Sequence, residues 1–316
     1  MSVASHQLLI DTDPGQDDAF ALLLALASPE ELEVLGITCV AGNAPVEKTT
    51  RNALQICELA GRREIPVYAG CHRPLTQELV TAEEVHGASG LDGATLPEPT
   101  LPLREVHAVD FLIETLRAEP VRTVTLVTLG PLTNVATALR RAPDIAARVR
   151  ELVMMGGAFF EPGNSSPVAE FNIWVDPEAA RIVCESGIPL VMAPLDVTHR
   201  ALTPPFWKEA VGALPAPLGP TLRGWIDFYE RYDRAKYGWD GGPMHDPCTI
   251  AYLLRPELFC GRRIPVQVET EGTFTRGMTV ADWWHTSGLP ENALFLTEVN
   301  REGFFRLLYE RLARLG

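Results

Sequence analysis

The segment Leu8-Leu9-Ile10-Asp11-Thr12-Asp13-Pro14-Gly15-Gln16-Asp17-Asp18 runs directly into Ala19-Phe20-Ala21-Leu22-Leu23-Leu24-Ala25-Leu26-Ala27. A short apolar run that enters an acidic turn and leaves it as a longer apolar stretch reads as a buried strand followed by a buried helix. Four carboxylates stand within eight residues at the strand's end. A helix start with acidic residues favoured by the helix dipole explains one or two of them, but not four. Like charges packed so densely repel one another without a cation, and a hard cation with oxygen ligands answers that need. An EF-hand loop is excluded: counting from Asp11 sets Gln16 where glycine is required and Leu22 where the bidentate glutamate belongs. A phosphotransferase with a strand-end Asp-x-Asp nucleophile is a rival reading, since that chemistry also starts with an aspartate pair after a first strand.

Outward from this segment, strand-like and helical patterns alternate. Leu32 to Val40 reads as a strand and Lys48 to Ala60 as a helix closed by Gly61. Further strands are expected at Val67–Ala69, Thr123–Leu129, Leu152–Met155 and Leu190–Ala193, with helical patterns at Val106–Arg117 and Asn134–Arg141. Repeated β-α units imply an α/β fold, one large domain over residues 1–316 with a mainly parallel, Rossmann-like central sheet flanked by helices. The last third is less regular: a Pro/Gly-rich stretch at Gly212–Pro220, a long helical pattern to about Lys236, short strands near Val266 and Val280, and a closing helix from Arg301. In such open sheets the ligand sits outside the carboxyl ends of the strands. The polar connection from Cys71 to about Arg104 is a lid candidate, because loops this long in a compact domain are usually functional or disordered.

The formal net charge of -14 on 316 residues argues against nucleic acid or an anionic membrane as partner, since a polyanion is repelled on approach. No apolar stretch approaches the about 20 residues that span a bilayer. The amino terminus lacks a basic region followed by an apolar one. These features lead to the expectation of a soluble, cytoplasmic protein with a small neutral or cationic ligand. Six cysteines without any C-x-x-C pair read as free thiols, mostly buried.

Two further segments carry chemistry. His245-Asp246-Pro247 follows Gly241-Gly242-Pro243; taken alone it fits a satisfied surface pair as well as a site. Asn164-Ser165-Ser166-Pro167-Val168-Ala169-Glu170-Phe171-Asn172 follows Met154-Met155-Gly156-Gly157. Amides and a carboxylate at this spacing can hydrogen-bond a sugar's hydroxyls, although an ordinary turn-rich loop has the same look.

Together with the opening D-x-D-P-G-x-D-D, these segments fall in the order and places found in the inosine-uridine-preferring nucleoside hydrolases, which the sequence resembles over almost its whole length. The resemblance implies calcium-dependent hydrolysis of the N-glycosidic bond of ribonucleosides. By matched position, Asp13 resembles the metal-bound general base, Asp18 and Asp246 the other calcium carboxylates, and Leu129 the residue whose carbonyl completes the set. Family members often have threonine there, and because only the carbonyl is used, leucine suits the site. Asp17 and Asn172 resemble the ligands of the ribose 2′ and 3′ hydroxyls, Asn164 and Glu170 the 5′-hydroxyl contacts, and Phe171 is expected among the substrate-binding residues. Asn43 matches the asparagine beneath the sugar, and Asp11 supports the metal ligands from behind. His245 occupies the position of the leaving-group histidine, which sets the chain with the histidine-bearing group and not with the purine-specific group that has tryptophan there. Tyr237, eight residues earlier, is available to touch the base or relay a proton, and with it the reading leans to pyrimidine or mixed specificity. A homodimer or homotetramer is implied as well.

Two other classes make distinct demands. The phosphotransferase reading wants Thr or Val where the chain has Gly15, and a downstream G-D-x-x-x-D that is not found. A non-catalytic nucleoside-binding protein keeps the sugar contacts and loses the base or the acid, whereas Asp13 and His245 are both present.

Overall fold

The computed structural model of the chain describes residues 6–316. Among the described residues ten strands are present: β1 (His6–Thr12), β2 (Leu32–Cys39), β3 (Val67–Ala69), β4 (Val124–Thr128), β5 (Glu151–Met155), β6 (Leu190–Ala193), β7 (Phe259–Ile264), β8 (Val266–Val268), β9 (Thr279–Ala281) and β10 (Ala293–Val299). Eight of them form one sheet in the order β3-β2-β1-β4-β5-β6-β10-β7, parallel throughout except for β7, which pairs antiparallel to β10 at the edge. The β8-β9 hairpin stands apart from it. The expected mainly parallel sheet is therefore present, and β7 and β10 extend it beyond the strands read from the sequence.

Strand β1 shows why this sheet is central. Leu8 and Ile10 pack into one apolar core while Leu9 packs into the other, so both faces are covered and the strand reads as a continuous apolar run. The first core collects α1 (Gln16–Leu26), α2 (Val46–Leu59) and, from the chain's second half, α9 (Pro205–Gly212), α10 (Leu218–Tyr237), α11 (Pro247–Leu254) and α12 (Arg301–Leu312). The second holds α4 (Ala108–Ala118), α5 (Thr133–Arg141) and α7 (Pro177–Cys184). Short helices α3 (Glu83–His86), α6 (Phe171–Val175) and α8 (Leu195–Thr198) lie in the connections.

All residues of α1 are buried; from Ala19 to Leu26 the helix is apolar on every side, which is what places it in the core. Removing each of its leucines from water contributes about 1.5–3 kcal/mol. This anchoring fixes the helix's amino terminus at the carboxyl end of β1, where Asp18 accepts from the Gly15 backbone N–H at 3.0 Å. The dipole there favours negative charge.

The 71–104 connection is well tied down. Gln16 Nε2 donates to the backbone oxygens of His86 (3.1 Å) and Asp92 (2.8 Å), Arg51 pairs with Glu98, and Glu58 accepts from Thr100 and Leu101. Only its stretch from Val80 to His86 faces the cavity described below. Among the described residues no helix is long and apolar enough to cross a membrane, and the six cysteines are free thiols, four of them buried.

Candidate active site

The carboxyl ends of the central strands surround a cavity of about 310 Å³. Its floor comes from the turn after β1 and the first turn of α1. Asp17, Asp18 and Asp246 each bring a carboxylate oxygen within 4.8 Å of the other two, all three residues being buried. Asp246 reaches this point because Pro247 starts α11 directly after it. Asp18 is fixed by Thr12 Oγ1 (2.5 Å), the Asp13 N–H (3.3 Å) and Asn43 Nδ2 (3.2 Å).

Asp13 is wholly buried and lies outside that trio. Its Oδ2 accepts the Asn43 backbone N–H at 2.7 Å, while Oδ1 has no partner among the described residues. Two glycines make room for it: a Cβ on Gly42 or on Gly130 would collide with this carboxylate. Burial, followed by the neighbouring carboxylates, pushes Asp13, Asp17 and Asp246 well above the usual carboxylate range. Asp18 is also raised by burial, against the hydrogen bonds it accepts. Behind them, Asp11 takes Thr38 Oγ1 at 2.5 Å and Asn134 Nδ2 at 2.7 Å. Burial nevertheless raises it to about 7.

One wall carries the amide-rich loop. Glu170 caps α6, its carboxylate accepting from the N–H groups of Asn172 (2.9 Å), Ile173 (3.2 Å) and Gly157 (3.0 Å). Burial pushes it up to about 7 despite those bonds. Asn164 Oδ1 accepts from the Phe171 N–H at 2.9 Å, so Asn164, Glu170, Phe171 and Asn172 come to one wall together. Asn172 Nδ2 donates to the Leu129 carbonyl at 2.7 Å, which leaves that oxygen a second lone pair.

The opposite side is aromatic and imidazole-rich. His245 Nδ1 lies 2.7 Å from Thr198 Oγ1, and the ring is 5.7 Å from that of His199. Burial, with His199 and His86 adding to it, holds His245 well below the usual histidine range. Tyr237 stacks on Trp239 with centroids 4.4 Å apart and faces His199 at 6.2 Å. His86 Nδ1 lies 2.7 Å from Gln16 Oε1 and stacks on Tyr229. An amide oxygen only accepts, so the proton sits on Nδ1 of His86. Tyr229, Asp233 and Tyr237 all line the cavity from one face of α10.

Every site residue read from the sequence except Asp11, Asp13 and Asp18 lines the cavity directly, and those three lie in or behind its floor. Sequence reasoning missed Thr198, His199, Tyr229 and Asp233. The i, i+4, i+8 spacing of Tyr229, Asp233 and Tyr237 is the signal that could have found two of them.

A family model described as inosine-uridine preferring nucleoside hydrolase matches residues 8–306. The chain belongs to this family. As a nucleoside hydrolase it is an enzyme acting on N-glycosyl compounds. It is 53% identical over 309 residues to an uncharacterized protein of Schizosaccharomyces pombe, covering 98% of this chain and 99% of that one. Its identity is 49% over 307 residues to the pyrimidine-specific ribonucleoside hydrolase RihA of Klebsiella pneumoniae, covering 97% and 98%. Among solved structures, the purine-preferring ribonucleoside hydrolase from Gardnerella vaginalis superposes with a TM-score of 0.92 at 32% identity, over 98% of both chains. The chain is thus similar, in sequence or in structure, to nucleoside hydrolases named for opposite base preferences.

The nucleoside hydrolase site suits a cation on its own terms. Asp13 Oδ1 is a buried, unpartnered carboxylate oxygen beside a trio of converging carboxylates. An all-oxygen donor set of this kind fits a hard divalent ion.

Proposed function

We propose that the chain is a calcium-dependent ribonucleoside hydrolase, one catalytic unit over residues 1–316, that releases ribose and a free nucleobase. The observation that carries the reading is the juxtaposition of the Asp13 oxygen and the carboxylate trio with a polar wall on one side and His245 on the other. Asp13, Asp18, Asp246 and the Leu129 carbonyl would hold the metal. Calcium, when bound, supplies a Lewis acid that orients a water and lowers its pKa.

The chain's own residues perform the remaining tasks. Asp13, steadied through Oδ2 by Asn43, takes the water's proton as general base. Asp17 and Asn172 bind the 2′ and 3′ hydroxyls of the ribose, and Glu170 and Asn164 bind the 5′ hydroxyl, so that the sugar is held for attack. Asn43 lies beneath the sugar and Phe171 beside it. Departure of the base leaves positive charge on the ribose ring, as in O-glycoside hydrolysis. His245 delivers a proton to the departing base, with Tyr237 close to it. Displacement in one step by water inverts the anomeric carbon. The presence of His245 on the cavity wall and of Asp13 beneath its floor argues against a non-catalytic binding protein, and Gly15 argues against a strand-end phosphotransferase.

The identity to RihA over nearly the whole chain supports pyrimidine or mixed base specificity. The same reading makes the enzyme a cytoplasmic homodimer or homotetramer. Base release from uridine, cytidine, inosine and adenosine, measured side by side with calcium present, tests it. Uridine and cytidine are expected to release free base at least as fast as the purines; no base from any of the four contradicts the proposal.

A further inference from the structure

The histidine of the base side is held from behind by a residue that does not line the cavity. Strand β6 ends at Ala193 and α8 follows at once, so the sheet itself delivers Thr198 to the back of the cavity's wall. Thr198 is completely buried, and its hydroxyl lies 2.7 Å from His245 Nδ1. Neither atom makes another hydrogen bond among the described residues. The far nitrogen, Nε2, has no hydrogen-bond partner among the described residues and is not among the buried unpartnered atoms, so it opens on the cavity that His245 lines.

A threonine hydroxyl can give or take a hydrogen bond. Nδ1 is therefore engaged whichever way the proton lies, and Nε2 is the nitrogen left for a ligand. The ring's other neighbours offer no substitute: His199 is 5.7 Å away centre to centre and forms no hydrogen bond with it. The hydroxyl is fully buried, and its contact with Nδ1 holds it in place.

We propose that Thr198 is a positioning residue, whose hydroxyl orients the His245 ring so that Nε2 faces the departing nucleobase. This rests on the reading of His245 as proton donor to that base. Partners that orient a working imidazole from its other nitrogen in metal sites are worth about 10- to 100-fold in activity, and the same scale is expected here.

The test compares the calcium-loaded parent with Thr198→Val, Thr198→Ser and His245→Ala on uridine and on p-nitrophenyl riboside, whose nitrophenolate departs without protonation. Thr198→Val keeps the side chain's shape and loses the hydroxyl; its kcat on uridine should fall about 10- to 100-fold. The loss on p-nitrophenyl riboside should be far smaller, and KM for uridine should change little. Thr198→Ser, which retains the hydroxyl, should recover most of the uridine rate. Equal losses of Thr198→Val on both substrates, or an unchanged uridine rate, would overturn the proposal while His245→Ala still loses only uridine cleavage. If His245→Ala itself spares uridine or loses both substrates alike, the reading of His245 fails and this inference falls with it.

Discussion

The backbone N–H of Asn43 holds one oxygen of Asp13 at 2.7 Å, and the other oxygen of the same buried carboxylate has no hydrogen-bond partner among the described residues. This asymmetry gives Asp13 a fixed orientation and one free acceptor. Asp13→Asn preserves the shape and removes both the negative charge and the basic oxygen. It should lower kcat by about 10² to 10⁴ or more on every substrate, whatever its leaving group. Equal fold-losses on uridine and p-nitrophenyl riboside are expected, and parent-like turnover on either would exclude Asp13 as the base.

The space around Asp13 is as specific as its hydrogen bond. A Cβ at Gly42 would meet both the Asp13 carboxylate and, at 2.7 Å, the Pro131 ring. Gly42→Ala should therefore cost about 1–3 kcal/mol of stability, as overpacking does, and should weaken turnover by displacing Asp13. Urea unfolding and kcat on uridine, measured on the same preparation, check both effects; a variant as stable and active as the parent would show that the turn relaxes freely.

Loss of the ribose 2′ hydroxyl should leave Asp17 one partner short in a largely buried site, where Tyr229 reaches its Oδ2 only at 3.5 Å. An unpaired buried polar group costs about 1–3 kcal/mol, more when charged, so kcat/KM for deoxyuridine should lie at least about 5- to 150-fold below that for uridine. Equal values would contradict the sugar contacts assigned to Asp17 and Asn172.

Glu170 makes a prediction about pH. Its carboxyl is pushed up to about 7 by burial, from the ordinary 4.5. Between those values the folded chain binds a proton that the unfolded chain releases, so this group's contribution to stability is full below about 4.5 and is lost as pH rises through about 7. In chelated protein, the melting temperature should fall from pH 5 to 8 more steeply for the parent than for Glu170→Gln. Identical slopes would mean that Glu170 titrates normally.

The acidic turn and its strand were legible because one local stretch, Leu8 to Asp18, holds both the apolar run and a charge density that no ordinary turn explains. The parallel sheet followed from repeated apolar strands between helices. Strand β7 was hidden by its composition, since Phe259-Cys260-Gly261-Arg262-Arg263-Ile264 at a sheet edge needs no apolar alternation. Strand β10 joins β6 across a long interval of chain, and no local pattern encodes that pairing. The base side was the least legible part of the site. Thr198 and His199 look like ordinary residues of a Thr-His-Arg turn until β6 brings them to His245. Nor does the sequence reveal that the 71–104 connection is tied to α1 and α2 by Gln16, Arg51 and Glu58, leaving only Val80 to His86 facing the cavity.

The most direct test of the account is metal-dependent turnover. The purified chain, stripped by rigorous chelation, should lose uridine cleavage, and titrated calcium should restore it with a stoichiometry of one ion per chain. Asp246→Asn should weaken that binding in the same titration. An unchanged rate of base release after complete removal of divalent metal would contradict the assignment of Asp13, Asp18, Asp246 and the Leu129 carbonyl as a calcium site.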